Sequence, residues 1–263
     1  MKRVGVTGLV VLVMVLSLLP PVAIKALAEE ECTGLLDRYD IPLEVSADIA
    51  FYSDYVWRGF LLDDDPVIQP GVNLSAYGFS ASFWSSFDVI TDDALDSDEV
   101  DFTLDYTYEH DLFSLSAGHT WYTFPAADTD TQEFYIGGSV NVPIFEDIVL
   151  SPGLKWFHDY GDTNDGGALG DYFLLDLGYS IPVADTGISV DLYNSVSYNN
   201  EFFINGDGGE YLVSAGLSIP LYKDNVKISP SISYSVPYGD LSDSSDGNQD
   251  DKLFGGATLS FAY

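Results

Sequence analysis

From Leu43 to the C-terminus, apolar and polar residues alternate in stretches punctuated by Gly, Pro, Asn and Asp. A period of two marks strands with two unlike faces, and the 3.6-residue stripe of an amphipathic helix is absent. The pattern predicts twelve strands, at 43–59, 66–76, 78–89, 99–110, 112–123, 131–142, 147–159, 170–181, 187–199, 209–219, 225–237 and 252–263. Their connections alternate in character. Those after the even strands are short, such as "YG" and "PVADT", whereas those after the odd strands are longer and acidic, such as "TDDALDSD" and "GDLSDSSDGNQDD". One end of the structure is therefore tight and the other carries acidic loops. A weak repeat supports this register: "NVPI", "SIPV" and "SIPL" place Pro143, Pro182 and Pro220 at strand ends, where the missing N–H is tolerated.

Alternation alone does not say whether the apolar face covers a core or meets lipid. Sorting by height does. Trp57, Trp121 and Trp156 fall on the apolar face near the loop end, while Tyr108, Phe113, Tyr179, Phe261 and Tyr263 fall on it near the tight end. Between them runs an aliphatic band that includes Leu104, Leu115, Ile136, Leu154, Leu175 and Val213. Two aromatic belts around an aliphatic band are what two lipid–water interfaces select. The opposite face is small and polar, with Ser46, Ser114, Ser116, Gly118, Ser139, Gly178 and Ser214 mixed with acids, and does not make a dry core. The final strand, "ATLSFAY", resembles the terminal strand by which bacterial outer-membrane barrels are recognised by their assembly machinery. The fold class expected is an all-β, twelve-stranded, antiparallel transmembrane barrel over 43–263 in the outer membrane of a Gram-negative bacterium, with the lipid bilayer and lipopolysaccharide as surroundings.

The N-terminus agrees with export. Lys2 and Arg3 precede an apolar run that ends at Pro20 and Pro21, and "ALA" at 26–28 supplies small residues for cleavage after Ala28. Residues 1–28 read as a signal peptide and 29–42 as a short periplasmic segment carrying Cys32, the one cysteine, which rules out an intrachain disulfide. Cleavage leaves 6 of the 9 basic residues against all 42 acidic ones. Nucleic acid is excluded as a partner by that balance, because phosphate binding needs clustered Lys and Arg.

Twelve strands enclose a narrow lumen. Inward parity on the wall falls to Asp54, Asp101, Asp105, Glu109, Asp176 and Asp191 among other acids, and one sign of charge in a water-filled tube concentrates counter-ions. The expectation is a porin-like channel for small solutes or ions that prefers cations, without a cofactor. Arg58 is expected at the mouth beside Asp63, Asp64 and Asp65, where it ties down the first loop or narrows the entrance. Bulky inward residues, among them Trp84, Tyr122, Phe157 and Tyr172, keep open the alternative of an occluded, structural barrel. A lipid hydrolase is the weaker alternative, since His110, His119 and His158 face outward near the belts without a nucleophile motif. No loop has the ligand spacing of an EF-hand, so no metal site is expected.

The stretch "SDYVWRGF", followed by "DPVIQPGVNLS" and "YGFSASFWSS", resembles the opening of the TorF-like porins, with Ser53, Asp54, Tyr55, Arg58, Gly59, Pro66 and Gln69 on matching positions. At Phe60–Leu62 the chain departs from a serine–glutamine pair frequent in that family. The resemblance covers residues 46–86 and implies an outer-membrane, porin-like protein with no named substrate.

Overall fold

The structure is a computed structural model that describes residues 41–90, 98–145, 148–164, 166–222, 225–243 and 247–263. The expected signal peptide and nearly all of the 29–42 segment, with Cys32, lie outside the described residues. The strands are β1 (Glu44–Tyr52), β2 (Tyr55–Trp57), β3 (Phe60–Asp63), β4 (Val67–Ala76), β5 (Phe79–Asp88), β6 (Glu99–His110), β7 (Phe113–Phe124) and β8 (Thr129–Val140). There follow β9 (Val142–Phe145), β10 (Ile148–Asp159), β11 (Asp171–Pro182), β12 (Ser189–Asn200), β13 (Asp207–Tyr222), β14 (Val226–Gly239) and β15 (Lys252–Ala262).

Twelve of these form a closed antiparallel barrel in the order β1-β4-β5-β6-β7-β8-β10-β11-β12-β13-β14-β15. Closure is made where β15 returns to β1, from Ser46↔Ala262 to Tyr52↔Gly256. Tyr263 extends the seam through two backbone hydrogen bonds with Val45. Closure removes the unpaired edges that a membrane does not tolerate. The short strand β9 continues the line of β8 and folds back on β10 in a hairpin at the tight end. Tight turns at that end include Tyr77-Gly78, both with positive φ, as a two-residue turn between twisted strands requires.

Eleven of the twelve expected strands agree with the structure to within three residues at each end. The first does not. Expected as one strand over 43–59, it stops at Tyr52, and Tyr55–Asp63 is a separate two-stranded hairpin, β2–β3, that pairs only with itself among the described strands.

The two faces of the wall differ as the alternation requires. Outside, aliphatic side chains stand free: Leu115 is 54% exposed, Leu154 60% and Val213 55%, and similar residues continue around the barrel. A band of this kind has no partner in water and is matched by acyl chains. Arginine at Leu154, at mid-height, is expected to cost about 2–4 kcal/mol of folding stability in lipid. Reversible refolding of Leu154→Arg into liposomes tests this. A loss below that range, or the same loss in a detergent-free aqueous refolding series, contradicts lipid exposure.

Inside, long side chains lie flat because glycine faces them across the ladder. A Cβ on Gly71 would sit 2.9 Å from Asp48 Oδ1, on Gly153 3.0 Å from Asp176 Oδ1, and on Gly137 2.6 Å from Lys155 Cγ. Gly118 makes the same room for Tyr135. These pairings keep the lumen clear at the tight end. There a cavity of about 940 Å³ is lined by Ser116, Ser139, Ser180, Ser214, Lys155 and Asp176, among others.

Candidate functional site

The loop half of the lumen is occupied by the hairpin. Its turn is Arg58-Gly59, with φ of 52° and 84°, so an arginine stands where a two-residue turn ordinarily takes Asn or Gly. The tip reaches the far side of the barrel. β8 lies five strands from β1 in one direction around the wall and β11 five in the other. Arg58 Nη1 and Nη2 donate to Glu133 Oε2 and Oε1 on β8 at 2.7 and 2.9 Å, a fork on a fork. Tyr122 on β7 donates to the same carboxylate at 2.8 Å.

Four rings surround the guanidinium. Its Cζ is 4.1 Å from the centroid of Phe157, 4.5 Å from Trp57, 4.7 Å from Tyr172 and 5.0 Å from Phe202. Phe202 comes from the β12–β13 loop and is fully buried. Gly59 fits because there is little room beside it: a Cβ there would sit 2.8 Å from Leu241 Cδ2 and 3.2 Å from Glu210 Cβ. Burial by itself lowers the pKa of Arg58, and the Glu133 carboxylate with its two hydrogen bonds reverses this, holding the guanidinium above its ordinary value and charged.

The base of the hairpin is fixed as well. Asp54 is paired with Lys252 Nζ on β15 at 2.6 Å and accepts from Ser53 Oγ. Tyr55 donates to Glu99 Oε2 at 2.8 Å, and its ring rests near Trp84. Burial first, then the Glu99 charge, push the Tyr55 hydroxyl well above its ordinary pKa, so it remains a donor. On the other limb, Leu61 N–H donates to Gln249 Oε1 at 2.8 Å.

Three sequence expectations change here. Trp57, expected in the lipid-facing girdle, packs inside against Tyr122, Phe202 and Phe203, because the chain bends inward at Ser53-Asp54 and carries the alternation with it. Arg58 is paired with Glu133 and not with the acids that follow it in the loop. Asp54 is a partner of Lys252, a base on the wall that inward parity also assigns but that the expected set of lumen charges omits. Trp121 and Trp156 lie on the outer face. Trp121 stacks on Phe102, and Trp156 Nε1 donates to Asp171 Oδ1 at 2.8 Å. Tyr179 and Tyr263 stand at the tight end, the latter 66% exposed. His158 pairs with Asp171 at 3.0 Å and His119 with Tyr160 on the same outer face.

The acids divide by height. In the loop half they are engaged by protein groups: Glu99, Glu133 and Asp54 as above, Glu210 by Ser235 Oγ at 2.5 Å, and Asp159 by Thr131 Oγ1 and the N–H groups of Gly161, Ala168 and Leu169. Asp101 shares a side-chain hydrogen bond with Glu99, while its Oδ1 is buried and without a hydrogen-bond partner among the described residues. In the tight half, Asp176 and Asp191 border the cavity, Asp191 accepting from Ser180 and Ser189. Asp105 stands between the halves, beside Tyr135 over Gly118, and Glu109 is exposed at the tight end opposite Ser114. Among the described residues no cluster has the composition of a metal centre.

This architecture, a closed twelve-stranded barrel with an aliphatic exterior and a polar lumen, is that of a transmembrane β-barrel. The sequence model of a family described as "Bacterial protein of unknown function (Gcw_chp)" matches residues 38–217, and the chain belongs to that family. No curated protein matches it in sequence. Among solved structures, the KdgM porin superposes with a TM-score of 0.54 at 11% identity, over 83% of this chain and 99% of that one. LpxR from Salmonella typhimurium gives 0.47 at 11% identity, over 83% of this chain and 99% of that one. An anion-selective porin from Comamonas acidovorans gives 0.41 at 11% identity, over 85% and 99%. At such identity the KdgM likeness shows the fold.

Proposed function

We propose that this barrel is a porin-like channel of a Gram-negative outer membrane that passes small cations and small uncharged polar solutes, with the Ser53–Asp65 hairpin as the closure of its loop half. The observation that carries this reading is the cavity of about 940 Å³ in the tight half, walled by serines and glycines and bordered by Asp176 and Asp191 together with Lys155. Unpacked polar surface inside a barrel serves no core, and acids on such a wall favour cations. The matching residues Ser53, Asp54, Tyr55, Arg58 and Gly59 support a place beside the TorF-like porins, and β15 with its terminal Tyr263 is the segment offered to the outer-membrane assembly machinery. Transport, and not hydrolysis, is the activity assigned.

A salt gradient across a planar bilayer tests the ion preference. The refolded barrel should give a steady current with a cation-selective reversal potential, and Asp105→Asn, Asp176→Asn and Asp191→Asn together should move that potential toward zero. An anion-selective current overturns the preference. A second reading, a barrel that stays shut, is favoured by the cage that fills the loop half. Current from neither the parent nor an Arg58→Ala barrel would select it.

A further inference from the structure

The surroundings of Arg58 are a complete receptor for a planar cation. Both oxygens of one carboxylate accept from two nitrogens of one guanidinium, and aromatic faces surround the remaining directions. Bidentate pairing of a planar fork with a carboxylate distinguishes guanidinium from a spherical ammonium or a metal ion, and the surrounding aromatic faces favour a desolvated cation that stacks flat.

The receptor and its occupant belong to different parts of the fold. Glu133, Phe157 and Tyr172 stand on β8, β10 and β11, three neighbouring strands joined by continuous ladders. Arg58 arrives on a hairpin that pairs only with itself among the described strands. The wall is therefore built in advance, and Arg58 fills it as a tethered ligand.

We propose that the Glu133–Phe157–Tyr172 cage is a binding site for a guanidinium-bearing small solute, which competes with Arg58 and thereby displaces the hairpin. The inference rests on the channel reading above and names the substrate class of that channel. It also makes the closure responsive: a solute that takes the cage leaves Arg58 without its carboxylate and shifts the hairpin from the wall. Because the tethered arginine acts at an effective concentration in the millimolar range, a free solute binds the parent barrel more weakly than a barrel whose cage is empty.

The probe is methylguanidinium, with methylammonium at equal ionic strength as the control. In detergent, titration calorimetry of Arg58→Ala should show saturable binding of methylguanidinium, tighter than in the parent by about tenfold or more. Methylammonium should bind at least severalfold more weakly, and Arg58→Ala with Glu133→Gln should bind neither. In the parent barrel, methylguanidinium should speed amide hydrogen exchange across 53–65 and methylammonium should not. A folded Arg58→Ala barrel without saturable binding, or one that binds the two cations equally, overturns the proposal. If Arg58→Ala does not fold, unchanged hairpin exchange in the parent barrel overturns it. The channel reading is tested apart from the cage by reversal potentials in potassium chloride alone. A cation-selective barrel that binds no methylguanidinium sinks the cage and leaves the channel, and a barrel that binds it but carries no current does the reverse.

Discussion

Arg58→Ala should raise the single-channel conductance of the refolded barrel severalfold. The hairpin's far contact is the two-pronged pair with Glu133, reinforced by rings at 4.1–5.0 Å from the guanidinium. Charge-assisted bonds of this kind are worth roughly twice a neutral one, and desolvated cation–π contacts about 2 kcal/mol. Alanine removes all of these and leaves a cavity at the tip. The remaining anchors, Asp54 with Lys252, Tyr55 with Glu99 and Leu61 with Gln249, hold the base and the limbs, and at the tip the ring packing of Trp57 on Tyr122, Phe202 and Phe203 is left. The tip then swings free of the wall while the barrel's own ladders are untouched. Arg58→Lys should give an intermediate conductance, because it retains the charge but not the fork. Equal conductance in parent, alanine and lysine forms, with all three barrels folded, would show that the ion path does not pass the cage.

Glu133→Ala should destabilise the folded barrel as well. Removing the carboxylate leaves a guanidinium with an 11% exposed side chain among aromatic rings, without its counter-charge, and breaking a buried pair from one side costs about 3–5 kcal/mol. Tyr122 loses its acceptor at the same time. The chain relieves this by expelling the hairpin, so the loss appears as early protease cleavage within 53–65 and as raised conductance. The double variant Arg58→Ala with Glu133→Ala should recover part of the loss. A double-mutant cycle in urea-driven unfolding from liposomes measures the coupling, and additive effects of the two substitutions would contradict a direct pair.

The barrel was legible in the sequence because a wall with lipid on one side and water on the other forces a two-residue period on every strand. Leu104, Leu154 and Val213 outside, with Ser116, Ser139 and Ser214 inside, are enough to set the parity. The hairpin was hidden for the same reason. Tyr55 and Trp57 alternate with Asp54, Val56 and Arg58 closely enough to extend β1, and a period does not register the bend at Ser53-Asp54. A turn signal was present: Gly59 follows Arg58 between Tyr-Val-Trp and Phe-Leu-Leu, two apolar triplets that a two-residue turn would bring together. Glu133 has inward parity in the alternation of its strand, but its pairing with Arg58, 75 residues away, depends on barrel closure and has no local signature. Likewise, parity placed Asp101, Asp105, Asp176 and Asp191 on one wall without separating the acids held by protein groups from those that border open space.

The most direct test of the hairpin as closure is to tether it. A Cβ at Gly59 would lie 3.2 Å from Glu210 Cβ, close to the roughly 3.5–4.5 Å that a disulfide spans, and Leu241→Ala removes the Cδ2 that would stand 2.8 Å from it. Cysteines at both positions, in a chain carrying Arg58→Ala, Leu241→Ala and Cys32→Ser, should give a barrel that conducts poorly when oxidised and rises, when a reductant is added to the same bilayer, to the level of the same chain without the two cysteines. Conductance that is high and unchanged by the reductant, with the disulfide confirmed by mass, would contradict a lumen closed by this hairpin.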